Sequence, residues 1–514
     1  MAQLKKLANQ TAIYGLSSIV GRFLNYLLVP LYTYKIAAES GGYGVVTNIY
    51  AYTAFLLVLL TFGMETTFFR FANRDGIDPK KAFSTALLSV GLVALIFVAL
   101  CTAFLHPIAS FLNYADHPEY IEIMAIVTAL DAFQAILYAK LRNDNRPVKF
   151  ATLKLSFIFL NIGLNLFIFL LAPTLYQNYP NLMSWYNPNY QVGYIFVVNL
   201  ICTSLITLGF IPELKDARHG IDMPLLKKMM KYTGPLLILG LVGILNQVAD
   251  KICYRFIVPG AEGEVQLGIY GACVKIAMIM AVITQAFRYA YEPFVFGENH
   301  RNAQQNTITQ AKVMKYFVMF TLLAFLAVMM YLDILRYIIQ EKYWDGLRAV
   351  PIVMMAEVFM GIYFNLSFWY KLCDKTYWGA IMSAIGCVVM LAINFIFVPK
   401  FGYMACAWGG FFGYGICMLL SYFIGQKESY VPYSILTIFK YFGITLCLYF
   451  LSSLLTNACF FGWQFQLWAN TPTLIVRIII NTILFLCYCA FILYNEKSLV
   501  NSLFSSIQRK IFKK

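Results

Sequence analysis

The sequence predicts an all-α polytopic membrane protein with about fourteen transmembrane helices. Three observations carry this expectation: apolar runs of about 20 residues recur along the chain, charge is scarce, and alternate loops differ in Lys and Arg content. Of 514 residues, 61% are hydrophobic, 12% charged and 17% aromatic, and the mean hydropathy is +0.69. A soluble domain carries roughly a quarter charged residues. No water-soluble core hides this much apolar surface, and only helices or closed barrels satisfy their backbone in hydrocarbon.

The first six runs are Thr11 to Tyr34, Tyr43 to Phe69, Ala82 to Leu105, Tyr120 to Ala139, Leu155 to Leu171 and Gly193 to Ile211. The first follows Lys5 and Lys6, but it is too long for a signal-peptide core and lacks a small-residue cleavage site, so it reads as a retained span. A second set comprises Tyr232 to Ile257, Gly268 to Ala290, Tyr316 to Tyr331, Ala349 to Tyr370, Trp378 to Val398 and Tyr403 to Ile424. Ile435 to Leu455 and Leu474 to Tyr494 complete the series.

Charge tests this division, because cytoplasmic loops are enriched in Lys and Arg. Basic residues crowd the N-terminus, then Arg70 to Lys81, Lys140 to Lys154, Lys215 to Lys231, Arg288 to Lys315, and the tail from Arg509 to Lys514. On the other side, the segments around Asn113, Trp185 and Trp468 contain no Lys or Arg. Exceptions there are Arg336, Lys342 and Arg348, with Lys35, Lys400 and Arg477 at span ends. Both termini are therefore expected in the cytoplasm, with an even number of spans.

The net charge of +15 calls for no nucleic acid, since no water-soluble domain presents a basic face. The twelve cysteines lie nearly all within apolar runs and the four histidines are scattered. Neither a disulfide framework nor a metal site is expected.

A weak internal repeat has a spacing of about 225 residues. GYGVVTNIYAYTAFLLVLLTFGMETTFFRF starts at Gly42 and LGIYGACVKIAMIMAVITQAFRYAYEPFVF at Leu267. Each opens with a Gly/Tyr turn, crosses once and ends in an aromatic segment bearing Glu and Arg. Both copies enter from one side, as in parallel halves related by an axis along the membrane normal. The expected division is a six-helix lobe over 1–220, a second over 221–430, and two further helices with a basic tail over 431–514.

With NQTAIYGLSSIVGRFLNYLLVPLYTYKI from Asn9, GGYGVV from Gly41 and LNQVADKICYRFIV from Leu245, the whole chain resembles the polysaccharide transporter, or Wzx-like oligosaccharide flippase, branch of the MATE-like MOP superfamily. The resemblance implies two six-span lobes around a central cavity that opens alternately to either side of a bacterial inner membrane. It also implies an undecaprenyl-pyrophosphate-linked oligosaccharide as cargo, Na⁺ or H⁺ as coupling ion, and no other cofactor. Surrounding lipids, a polysaccharide polymerase and other assembly proteins would be its partners, and the chain itself a monomer. In the related lipid II flippases, two extra helices form a groove for a lipid tail.

Ionisable residues within spans cost several kcal/mol each, so each marks a candidate site. Arg22 lies near the middle of the first span, beside Asn25, and its planar fork suits a pyrophosphate; related flippases carry a basic residue in this region. Its alternative is an ion pair with a neighbouring span. Gln247, Lys251 and Arg255 recur every four residues and form a stripe on one face of span seven, with Asp250 turned roughly 100° away from Lys251. Lys275 on span eight either pairs with Asp250 or extends the stripe, while Lys251 and Arg255 alternatively snorkel to the interface.

An acidic residue in span seven recurs in the superfamily, which makes Asp250 the expected coupling residue; Asp131 and Glu357 rank below it as titrating groups or hydrogen-bond partners. Glu65, Arg70, Arg288 and Glu292 occupy equivalent positions in the two repeats and are candidates for a cytoplasmic gate, or for interfacial anchors. No enzymatic activity is expected. A cation-coupled multidrug exporter of the same fold would want an acidic cavity, against the basic bias of Arg22, Lys251 and Lys275. A membrane glycosyltransferase or polymerase would need catalytic carboxylates outside the membrane, and the longest such loop, Pro173 to Gln191, has no charged residue.

Overall fold

The computed structural model describes residues 26–497, apart from 75, 299–302, 374, 465–466 and 468–471. The end of the first predicted span appears as α1, Leu28–Lys35. Thirteen further helices among the described residues are long and apolar enough to cross a membrane. In order they are α2 (Gly42–Ala72), α3 (Pro79–Ala103), α4 (Pro118–Asn143), α5 (Pro147–Asn178), α6 (Gln191–Leu208), α7 (Met223–Ile257) and α8 (Ala261–Arg288). Then follow α9 (Thr307–Met330), α10 (Glu341–Lys371), α11 (Tyr377–Phe401), α12 (Tyr403–Glu428), α13 (Ile435–Thr456) and α14 (Leu474–Asn495). The chain is a multi-pass membrane protein, and one more span at the N-terminus accords with about fourteen in all.

Helix starts follow local chemistry. Asp78 accepts the Lys80 amide at 2.9 Å just before α3, and Asp222 accepts the Leu225 amide at 3.0 Å before α7, each satisfying an orphan N–H beside a proline in the first turn.

Two helices depart from the expected runs. The second span is broken where Phe62 and Gly63 both take positive φ, 36° and 74°, so Met64–Ala72 sets off in a new direction. A Cβ at Gly63 would sit 3.0 Å from the Leu236 Cβ of α7, so the bend brings the two helices close. The fifth span continues past Pro173: a π-helical stretch, Phe167–Leu171, absorbs an extra residue and Pro173 falls in the first turn of Ala172–Asn178. The loop expected from Pro173 is accordingly shorter.

Helices α2 to α6 pack on one another, with Phe68, Phe83, Leu87, Ile136 and Phe210 in one apolar core. In the second half α12 packs on α10 and α11, α7 on α11, and α8 on α10. The α13–α14 pair leans on α9, where Asn481 donates to the Met330 carbonyl at 2.7 Å and Lys315 reaches Glu496 at 2.8 Å. Between the halves, α2 packs against both α7 and α8. Leu95, Phe159, Leu436 and Ile475 are exposed on outward faces, as side chains in contact with lipid are.

One end of the bundle is the basic end. There Glu213, 3% exposed, receives Lys149 at 2.6 Å, and Lys140 contacts Asp216 at 2.8 Å. The Lys140 hydrogen bond holds the Asp216 carboxyl below the usual carboxylate range.

Candidate functional site

Two adjoining cavities lie in the middle of the bundle. One, of about 460 Å³, opens between the halves and is walled by α1, α2, α5 and α6 on one side and α7 and α8 on the other. The second, about 390 Å³, penetrates the second half among α7, α8, α10, α11 and α12. Tyr26, Gln247, Lys251, Val274 and Met278 line both, so they form a continuous space.

The charges divide between them. Among the described residues, the cavity between the halves carries Lys251 and Lys275 and no carboxylate, with Tyr50, Asn161 and Asn199 on its opposite wall. Asn199 donates to the Tyr50 hydroxyl at 3.0 Å. The inner cavity holds Asp250, Glu357, Lys251 and Arg288.

The Lys251 ammonium touches both Asp250 oxygens at 3.0 Å, and the Tyr270 hydroxyl donates to Asp250 at 3.0 Å. Asp250 thus pairs with its sequence neighbour and not with Lys275. The four-carbon stem of lysine spans the roughly 100° that separates consecutive residues on a helix. Among the described residues, no hydrogen bond or ion pair involves Lys275 or Glu357; each faces its cavity half-buried.

Arg255 corrects the expectation of a cationic stripe. Only 3% exposed, it contacts Glu264 of α8, donates to the Asn113 carbonyl at 2.9 Å, and lies 4.0 Å over the Tyr114 ring. These partners leave it inside a seal, away from the cavity.

That seal closes the end opposite the basic one. The Tyr114 hydroxyl donates to Asn48 at 2.8 Å, and the Asn48 amide donates to the Lys251 carbonyl at 2.7 Å, so α2 and α7 are joined directly above the cavity. A Cβ at Gly44 would lie 1.9 Å from the Glu264 carbonyl oxygen, an approach that only glycine permits. Further out, Tyr343 donates to the Ile36 carbonyl at 3.0 Å, and Lys342 meets Glu39 at 2.7 Å.

Of the four residues expected as a cytoplasmic gate, Glu65 and Arg70 take partners outside that set. Glu65 accepts from Arg142 of its own half at 3.1 Å, and Arg288 lies 5.1 Å from the Phe364 ring of α10. Arg70 reaches across to the second half, 4.1 Å over the Tyr232 ring of α7, beside a Thr67–Thr233 hydroxyl contact of 2.7 Å. The Glu292 side chain, Arg22 and Asn25 lie outside the described residues; Tyr26, next after Asn25, lines both cavities. Asp131 sits on α4 and lines neither cavity, with Lys154 and the cavity-lining Tyr50 as electrostatic neighbours.

A family model described as polysaccharide biosynthesis protein matches residues 7–290, more than half of the chain and all of the first half with α7 and α8. The chain belongs to this polysaccharide biosynthesis family. No curated protein matches it by sequence. Among solved structures, the lipid II flippase MurJ in an inward closed conformation is similar at TM-score 0.67 and 15% identity, over 94% of this chain and 99% of that one. An inward-facing multidrug resistance MATE family transporter of the MOP superfamily gives 0.63 at 14% identity, over 81% and 97%. An outward-facing structure under the same description gives 0.53 at 15%, over 82% and 95%.

These likenesses establish the MOP-type transporter fold for this member of the polysaccharide biosynthesis family. Sequence reasoning missed Asn113, Tyr114, Glu264 and Tyr343 of the seal. The repeat did signal it, since the Gly/Tyr openings of the two copies face each other at Gly44 and Gly268, where a Cβ on Gly268 would lie 2.9 Å from the Gly44 nitrogen.

Proposed function

We propose that this protein is a flippase that moves an undecaprenyl-pyrophosphate-linked oligosaccharide from the cytoplasmic to the outer leaflet of a bacterial inner membrane. The termini and the basic end face the cytoplasm, and the two six-helix lobes alternate about the shared cavity. One observation carries the reading: among the described residues, the cavity between the halves is lined by two lysines and no carboxylate, opposite a wall of Asn and Tyr. Lysine binds phosphate as a point charge, and Asn and Tyr offer donors, acceptors and an aromatic face to sugars. The seal at the Gly44–Glu264 contact is then the outer gate in its closed state.

Coupling is assigned to Glu357 in preference to Asp250. Asp250 has its counter-ion and a hydroxyl donor in place, whereas Glu357 faces the inner cavity, with Lys251 as its electrostatic neighbour. A carboxylate so placed exchanges H⁺ or Na⁺ as the cavity changes its exposure.

The test is transport by the purified protein in proteoliposomes. Fluorescent undecaprenyl-pyrophosphate-linked glycan should cross in a gradient-dependent manner, and Glu357→Gln should abolish the response to H⁺ and Na⁺ gradients while leaving slow exchange. Transport of a cationic dye with no glycan movement would instead identify a multidrug exporter. A gradient response retained by Glu357→Gln removes the coupling role.

A further inference from the structure

The basic residues on the wrong side of the charge pattern, Arg336, Arg348 and Arg477, converge. They line a pocket of about 370 Å³ at the end opposite the basic one, between α9, the start of α10, and the facing ends of α13 and α14. Two carboxylates, Asp333 and Asp345, share this pocket. The segment that joins α13 to α14, residues 457–473, contains no acidic residue.

The donors outnumber the acceptors there. Arg477 gives one hydrogen bond to Asp333 Oδ1 at 2.7 Å, and Arg336 stands 3.8 Å from that same oxygen, too far for a hydrogen bond of its own. The Nε atoms of both arginines are buried and have no partner among the described residues. A guanidinium carries about five N–H donors, so one carboxylate leaves most of this pair unused. Arg336 is also held in place, 4.4 Å over the Trp344 ring, which pre-orients its fork.

The surroundings name the source of an acceptor. Leu474, one turn before Arg477 on α14, and Ile338 beside Arg336 are exposed apolar side chains, so the pocket mouth adjoins a lipid-facing surface. We propose that this pocket binds the phosphate of an outer-leaflet lipid headgroup, with Arg336 and Arg477 donating to its oxygens and Asp333 as their counter-ion when the pocket is empty. The site would tether α13 and α14 to α9 and α10 through a bound lipid, and it does not depend on the identity of the transported cargo.

Native mass spectrometry of the delipidated full-length protein tests this with phosphatidylglycerol as probe and diacylglycerol as the phosphate-free control. The wild type should retain phosphatidylglycerol and not diacylglycerol, and Arg477→Gln should weaken retention roughly tenfold, as expected for a lost charge-assisted pair. Asp333→Asn frees both arginines and should strengthen retention severalfold, a gain that misfolding cannot mimic. Displacement by undecaprenyl pyrophosphate below the phospholipid concentration assigns the pocket to a polyprenyl headgroup, and the reverse order assigns it to bulk phospholipid. Equal retention in the wild type, Arg477→Gln and Asp333→Asn overturns the proposal.

Discussion

Replacing Lys275 by glutamine is expected to lower glycan transport in proteoliposomes by roughly ten- to a hundredfold, the range set by losing a charged hydrogen bond to phosphate. Lys275 projects from α8 into the cavity between the halves, with no ion-pair partner among the described residues. Lys251 is near enough to repel it, and Lys251 is itself neutralised by Asp250 at 3.0 Å. An entering pyrophosphate therefore meets in Lys275 a cation that no described carboxylate neutralises. Lys275→Arg keeps the charge and should retain most activity. The loss should appear mainly as a raised KM, because the contact forms on binding. Wild-type kinetics in Lys275→Gln would remove the phosphate role from this residue.

The second large effect belongs to Arg255→Gln, which should open the sealed end. Breaking a buried ion pair costs about 3–5 kcal/mol because the surviving charge is left without a partner. Here that charge is Glu264, and the Asn113 and Tyr114 contacts of the first half go with it. Glu264 belongs to the same half as Arg255, so only the Asn113 and Tyr114 contacts join the two halves at this point, and their loss, about 1.5–3 kcal/mol for hydrogen bonds of a charged group, should shift the equilibrium toward the open arrangement. Thr47 reports the change, since it packs on Gly271, where a Cβ would lie 2.3 Å from its hydroxyl. With exposed Cys373, Cys447 and Cys487 replaced by serine, a cysteine at position 47 should react at least about tenfold faster with an impermeant maleimide from the outer side. An unchanged rate means that Arg255 does not hold the seal.

The spans were legible because the bilayer demands runs of about 20 apolar residues, a requirement no local detail can evade. Their interruptions were not. Phe62–Gly63 reads as an ordinary apolar pair, and its two positive φ values answer to the approach of Leu236 from α7, which is a tertiary demand. Pro173 reads as a terminator, yet the π-helical stretch before it lets the helix resume.

Among the charged residues, position and depth were readable but partners were not. Helical spacing separates Asp250 from Lys251, but side-chain length rejoins them. Arg255 shares a face with Lys251, yet it finds Glu264 across the turn and Asn113 from the other half, contacts that no single-helix pattern contains. The arginines at 336, 348 and 477 were visible as exceptions to the charge rule. Their convergence on one pocket required the fold.

The central claim is that the cavity between the halves holds the pyrophosphate of the cargo. A cryo-electron microscopy map of the full-length protein bound to undecaprenyl-pyrophosphate-linked glycan tests it most directly. The expected result is pyrophosphate density within hydrogen-bonding distance of Lys275, with sugar density along Tyr50, Asn161 and Asn199. Pyrophosphate density in the pocket of Arg336 and Arg477 alone, with the central cavity empty, would contradict it.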